Sequence, residues 1–232
     1  MQHNPNLVVM GSHGSTDLTA TEEMGAIAPG LVAHKKSDGT VTVLSADGQS
    51  IGVSLGETLD GDTTKCSVAR AGNLIPVQVT PEMTRVGNVE YTAKKLGVSV
   101  QITAGATAGA EVVTVAGNKI TVQIQASTST ATQVAAAVNA SIPAMALLSS
   151  AVIQSGQGAT AQVAVAETAI PVNSTVLPGA PFKYSATTGK GISSGTTSGA
   201  FYSGGGYSGI KEGKMLDGSM VFCAYIDMAG GL

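Results

Sequence analysis

Few of the residues that usually carry chemistry are present in this sequence. Tryptophan is absent, there are three histidines and two cysteines, and only 12% of the residues are charged, about half the share of an ordinary globular chain. Nucleophilic catalysis needs a base beside a Ser or Cys, most often His. The histidines are His3, His13 and His34, the first two in what reads as an N-terminal arm. No Gly-x-Ser-x-Gly elbow occurs. Cys-x-x-Cys, His-x-x-x-His and His-Glu-x-x-His spacings are also missing, so the sequence predicts no metal centre. Asp60-Gly61-Asp62 starts like a calcium loop but continues Thr63-Thr64-Lys65, which makes it a polar turn. We therefore expect a protein that is not an enzyme and carries no cofactor.

Other absences narrow the partners. The 12 Lys and Arg are scattered, and the net charge is −3, so no basic stripe exists to displace counterions from a nucleic acid. No apolar run approaches the ~18 residues of a membrane span. Met1-Gln2-His3-Asn4-Pro5 lacks the basic and apolar regions of a secretory leader, and the expected place of synthesis is a reducing cytoplasm. There Cys66 and Cys223 are expected as free buried thiols; a disulfide would require the strands that carry them to pair. Without a leader, the sequons Asn139-Ala140-Ser141 and Asn173-Ser174-Thr175 carry no meaning. Gly204-Gly205-Gly206-Tyr207-Ser208-Gly209 fits a dinucleotide fingerprint only formally, because a Ser/Gly tract precedes it and no helix follows. Gly213-Lys214 lacks the rest of a P-loop.

What is present is glycine, 30 residues of it, with small and β-branched residues. Few charges and many turns suit a surface later covered by neighbours, or simply a β protein of low surface charge. Residues 1–30 read as an arm, with the apolar patch Leu7-Val8-Val9-Met10 before the breaker Gly11-Ser12-His13-Gly14-Ser15. Short strands then follow at regular spacing. Asp38-Gly39 feeds Thr40 to Leu44, Asp47-Gly48 feeds Ile51 to Leu55, and Cys66 to Arg70 and Leu74 to Val79 continue the series. Pro76 marks the last of these as an edge.

From 86 to 170 the pattern changes. Glu111 to Ala116, the turn Gly117-Asn118 and Lys119 to Gln125 read as a hairpin, with Ile120, Val122 and Ile124 on the buried side. Thr130 and Gln133 form a capping box for a helix that buries Ala131, Val134, Ala135 and Val138. A second helix is expected from Ser141-Ile142-Pro143 through Ala151, anchored by Leu147 and Leu148. Gln162 to Val165 reads as a strand. Short strands resume after 171, and the tail Ser219 to Asp227, apolar on both faces, reads as an inner strand pairing with the first half. The predicted organisation is mainly β: an arm at 1–30, a discontinuous β domain made of 31–85 and 171–232, and an inserted α+β domain at 86–170.

Two ends of the chain resemble the decoration (cement) proteins of bacteriophage capsids. Asn4-Pro5-Asn6-Leu7-Val8-Val9-Met10-Gly11-Ser12 and Gly25-Ala26-Ile27-Ala28-Pro29-Gly30-Leu31-Val32 are similar to their openings, as is Lys36-Ser37-Asp38-Gly39-Thr40-Val41. So are Ile51 to Gly56, Val68 to Gly72 and Ile75 to Val79. Gly206 to Gly213 and Ala224 to Leu232 resemble their C-termini. Within the insert, Val89 to Lys94, Gly117 to Val122 and Thr132 to Ala140 resemble a module of phage and bacterial surface proteins.

The resemblance implies a small β-barrel or β-tulip-like body on the outer capsid surface of a virion. An extended arm would lie over the major capsid protein, and the subunits would meet as dimers or trimers. Leu7, Val8, Val9 and Met10 are then candidate capsid contacts, since an exposed apolar patch marks an interface; the same residues could equally form an edge strand of the body. Alternative readings are a tail, tail-tube or baseplate component, or a host-surface or glycan-binding module carried by 86–170. The insert offers glycan only one aromatic, Tyr91.

Overall fold

The computed structural model describes residues 13–18, 27–38, 41–44, 49–57, 66–176, 182–194, 210–214 and 220–228. The chain is mainly β and divides into two compact units, residues 1–80 with 173–232 (unit 1) and residues 81–172 (unit 2). Unit 1 opens with β1 (His13–Leu18), β2 (Val32–Lys35), β3 (Val41–Thr42), β4 (Gln49–Glu57) and β5 (Cys66–Gln78). Unit 2 contains β6 (Met83–Val86), β7 (Val89–Ala93), β8 (Val98–Ala104), β9 (Val112–Ala116) and β10 (Lys119–Ile124). It continues with α1 (Ala131–Ala140), α2 (Ile142–Met145), β11 (Leu148–Ile153) and β12 (Val165–Ile170). Unit 1 resumes with β13 (Phe182–Tyr184), β14 (Gly191–Ser194), β15 (Ile210–Lys214) and β16 (Met220–Met228).

Unit 1 is organised by β5. Its first part pairs with β4 and with β1, and its second part, from Gly72 to Gln78, pairs with β16. The seven-stranded sheet runs β15-β16-β5-β4-β2-β3, with β1 joined to β5. The tail is thus an inner strand, between β15 and β5. The two strands expected at 66–70 and 74–79 are one, because the strand passes through Gly72 without turning. Pro76 is accordingly not on an edge strand. Val79 N donates to Phe222 O at 2.7 Å, so alternation directs the backbone of the odd-numbered residues at β16 and that of Pro76 away from it. The β4 ladder has already ended at Ala69, and the missing N–H costs no ladder bond.

The arm expected at 1–30 is not an arm throughout. Residues 13–18 form β1 on β5. Ile27 is buried in a cluster with Ala33, Val41 and Val68, against which Leu31 and Val43 pack. Gly30, at φ 82°, bridges β4 and β5: its N–H donates to Ser54 O and its carbonyl accepts from Gln78 N, both at 2.8 Å. Gln78 Nε2 adds a bond to Pro29 O at 2.8 Å. This segment carries on where the β4–β5 ladder stops, and among the described residues the sheets are open, without the closed ladder of the small β-barrel that the resemblance implied. β13 and β14 form a separate two-stranded sheet. The turn between them is tied to β2 by Val32 N donating to Gly189 O at 2.9 Å, and β14 is tied to the end of β5 by Thr80 N donating to Gly191 O at 2.8 Å.

Unit 2 is built from two sheets and the helix α1. The four-stranded sheet runs β12-β8-β10-β9, with β8 and β10 parallel, and the three-stranded sheet runs β11-β7-β6. Strict alternation places Val98, Val100 and Ile102 of β8 and Ile120, Val122 and Ile124 of β10 in the core. Val89, Tyr91 and Ala93 of β7 are buried as well, as are Val134 and Val138 of α1. The capping box of α1 is complete, Thr130 accepting from Gln133 N while the Gln133 side chain accepts from Thr130 N. The second helix stops at Met145, where Ser141 caps a single turn, and Leu148 instead opens β11. β11 supplies a third strand to β6 and β7, a long-range demand that periodicity does not register. The strand expected at 162–165 begins only at Val165. Gln162 lies in the preceding irregular stretch, 1% exposed, where its Oε1 accepts from Asn88 N at 3.0 Å and its Nε2 donates to Thr160 O at 2.8 Å.

Candidate functional site

The expected capsid contacts Leu7, Val8, Val9 and Met10 lie outside the described residues, as do Asp60-Gly61-Asp62 and Gly204 to Gly209. Several of the described chemistry-bearing side chains have structural tasks. His34, in β2, is 1% exposed; its Nε2 shares a hydrogen bond with the Tyr184 hydroxyl at 3.1 Å, and the rings lie 5.6 Å apart. Burial lowers its pKa, opposed in part by the Thr42 backbone, so the ring is held neutral in the fold. Cys223 is a free, buried thiol whose pKa burial pushes up to about 11, which leaves it protonated and unreactive. The strands carrying Cys66 and Cys223 do pair, but Cys223 stands opposite Gln78, whereas Cys66 lies at the other end of β5, opposite Leu18 and Glu57. Roughly 40 Å of extended strand separates the two positions, so their register excludes a disulfide.

The sequon asparagines act locally. Asn173 is buried; its Nδ2 donates to Thr80 O at 3.0 Å and its Oδ1 accepts from Thr175 N at 3.0 Å. Asn139 clasps Ala151 of β11 from α1, its Nδ2 donating to Ala151 O at 2.9 Å and its Oδ1 accepting from Ala151 N at 3.2 Å. Glu167 is ion-paired with Lys119 at 2.8 Å and accepts from Ser99 Oγ at 2.6 Å, and both bonds lower its pKa. Burial works against the charge of Glu111, but hydrogen bonds from Ser129 and Gly109 outweigh it. Among the described residues no group of three His, Cys, Asp or Glu could hold a metal ion, and no helix is long and apolar enough to cross a membrane.

Unit 2 is described throughout, and residues 81–172 contain no His, Cys or Asp. Their single aromatic, Tyr91, is 0% exposed, so no ring is offered to stack on a sugar. What the unit does present is the outer face of the four-stranded sheet. Register places Ser99, Gln101 and Thr103 of β8 beside Lys119, Thr121 and Gln123 of β10, and these beside Ala116, Thr114 and Val112 of β9. The face is polar and nearly uncharged, and it ends at β9, which has a neighbour on one side only. Sequence reasoning placed β9 and β10 but missed β8, and the edge follows only from the order of the strands in the sheet.

The chain matches no protein-family model, no curated protein and no solved structure.

Proposed function

We propose that this protein is a non-enzymatic decoration (cement) subunit that binds the outer surface of a phage capsid at capsomer junctions and stabilises the shell. The supporting observation is one of grouping. Every stretch that resembles decoration proteins, from Asn4 to Val79 and from Gly206 to Leu232, falls in unit 1, although unit 2 separates the two parts by sequence. On this reading unit 1 is the tulip-like body seated on the shell, with Leu7 to Met10 reaching the major capsid protein. A clamp that binds only the assembled lattice stabilises it by mass action. The neutral outer sheet and the buried Tyr91 of unit 2 favour a structural role for the insert over glycan capture.

The test is to mix the full chain with undecorated mature capsids and image them by electron cryo-microscopy. Ordered density at capsomer junctions is expected, together with a raised temperature of capsid rupture. A variant lacking residues 1–12, which leaves β1 whole, should fold normally and lose capsid binding. Bare capsids, with binding instead to tails or to cell-surface polysaccharide, would overturn the reading in favour of a tail component or an attachment module.

A further inference from the structure

The four edge strands of unit 2 are not equally protected. Sheet edges expose unpaired N–H and C=O groups and template the addition of another strand unless charge, proline, a bulge or a cover prevents it. β11 is bulged between Leu148 and Ser150, and Asn139 occupies both backbone groups of Ala151. β12 is bulged between Val165 and Thr168 and carries Glu167. β6 has only four residues, one of them Arg85, and follows Pro81. β9, Val112-Val113-Thr114-Val115-Ala116, has no charge, proline or bulge and pairs only with β10; α1 and α2 pack near it, but neither makes a hydrogen bond to its backbone.

Ser99 N donates to Asn118 O and Gly105 N donates to Ile124 O, both at 3.0 Å, so the even-numbered residues of β10 address β8 and the odd-numbered ones address β9. Lys119, Thr121 and Gln123 face Ala116, Thr114 and Val112, which therefore make the ladder bonds to β10. Val113 and Val115 are left with their N–H and C=O groups directed at the open edge. The geometry points to a second copy of this chain as the occupant, its β9 running antiparallel to the first about a two-fold axis at Thr114.

In that register Val113 stands opposite the second copy's Val115, and each such pair exchanges two backbone bonds. Thr114 meets Thr114 at the close, non-hydrogen-bonded position, a favourable cross-strand pair. Val112 meets Ala116. Strands that must pair with themselves cannot carry charge at opposed positions, and this one carries none. Glu111 would stand opposite Gly117, and across residues 81–172 four glutamates balance one arginine and three lysines, so two copies approach without like-charge repulsion. α2 packs against β9, and its first residue, Ile142, is 85% exposed, the most exposed large apolar side chain among those described. A two-fold pairing consumes the edge, and the other edges of unit 2 are blunted, so pairing through unit 2 closes at two copies. A single strand pair is a small interface, so the contact is weak in free solution and gains when the copies are held close together. The inference stands independently of the capsid reading.

A covalent trap tests it in the full chain. Thr114 is exposed on the outer sheet face, and residues at a non-hydrogen-bonded antiparallel position lie at about 4.5 Å between Cα atoms, within disulfide reach. Under mild oxidation Thr114→Cys should give a disulfide-linked dimer at least about tenfold faster than Ala136→Cys on the exposed side of α1, with the wild-type chain as background. Adding Val115→Pro removes an N–H directed at the open edge and no bond to β10; with two of the four intermolecular bonds gone, trapping should slow about tenfold. Equal trapping at Thr114 and Ala136, or trapping indifferent to Val115→Pro, would overturn strand pairing between copies.

Discussion

The two units solve the same problem, burying one face of a sheet, with opposite use of the chain. Unit 2 is one continuous segment, residues 81–172: β9 pairs with β10 and β6 with β7 as neighbours, and its longer pairings, β11 with β7 and β12 with β8, also close within it. In unit 1 a single strand, β5, is paired by β1 from the beginning of the chain and by β16 from its end. Contacts between distant residues carry a larger loop-closure cost and form later. The difference teaches that unit 2 has what it needs to fold as a local segment, whereas unit 1 waits for its last strand.

Truncation should break the comparison most visibly. Removing residues 215–232 takes away β16, the partner of both β5 and β15, and exposes the buried Phe222, Cys223 and Ala224 positions as a gap in the sheet. Scanning calorimetry of the full chain should resolve two transitions. In the truncated chain the transition of unit 1 should disappear and that of unit 2 should remain at its original temperature. Loss of both transitions together would show that unit 2 depends on unit 1 and that the contrast is false.

Two point substitutions sharpen it on a smaller scale, one for each unit. Gln162→Ala strips a buried amide that satisfies Asn88 N and Thr160 O and leaves the half-buried Asn88 N–H without its partner, costing unit 2 about 1–2 kcal/mol. Gly189→Ala acts on unit 1. Gly189 sits at φ +66°, and an added Cβ would lie 2.8 Å from Val32 O, a backbone atom that cannot turn aside. The expected cost is about 2 kcal/mol. Each substitution should lower only its own transition; a substitution that lowers both equally would mean that the units melt as one.

The same contrast explains what could be read from the sequence. The capping box at Thr130 and Gln133, the alternation of Ile120, Val122 and Ile124 and the turn at Gly117-Asn118 all involve residues within a few positions of each other, where local stereochemistry decides. The failures lie where a distant partner decides. Leu148 to Ile153 suits a helix by composition but is taken into a sheet by β7. Gly72 looks like a break but continues β5 from its pairing with β1 to its pairing with β16. Gln162 looks like a strand residue and serves instead as a buried cross-link, because an amide can satisfy a donor and an acceptor at once. The open edge of β9 was legible only in part: its neutrality is in the sequence, but its being an edge depends on β8 pairing beyond β10.

The smallest effect separates the units by pH. In unit 1 the fold lowers the pKa of His34 by burial, against about 6.5 in the unfolded chain. A base whose folded pKa is depressed binds fewer protons folded than unfolded, so its contribution is fully present above pH ~6.5 and is lost as pH falls from there toward the folded value. Unit 2 has no histidine, and its shifted acids, Glu111 and Glu167, are lowered by their hydrogen bonds. Their contributions are present above the unfolded glutamate value of about 4.3 and are lost only below it. Between pH 6.5 and 5 the transition of unit 1 should therefore slide downward while that of unit 2 holds, and the order should reverse only in stronger acid. His34→Gln keeps a polar, uncharged side chain beside Tyr184 and should flatten the slope of unit 1 across that window. If the slope survives the substitution, its source lies in another group of unit 1, and burial of His34 is not what makes the two units answer differently to acid.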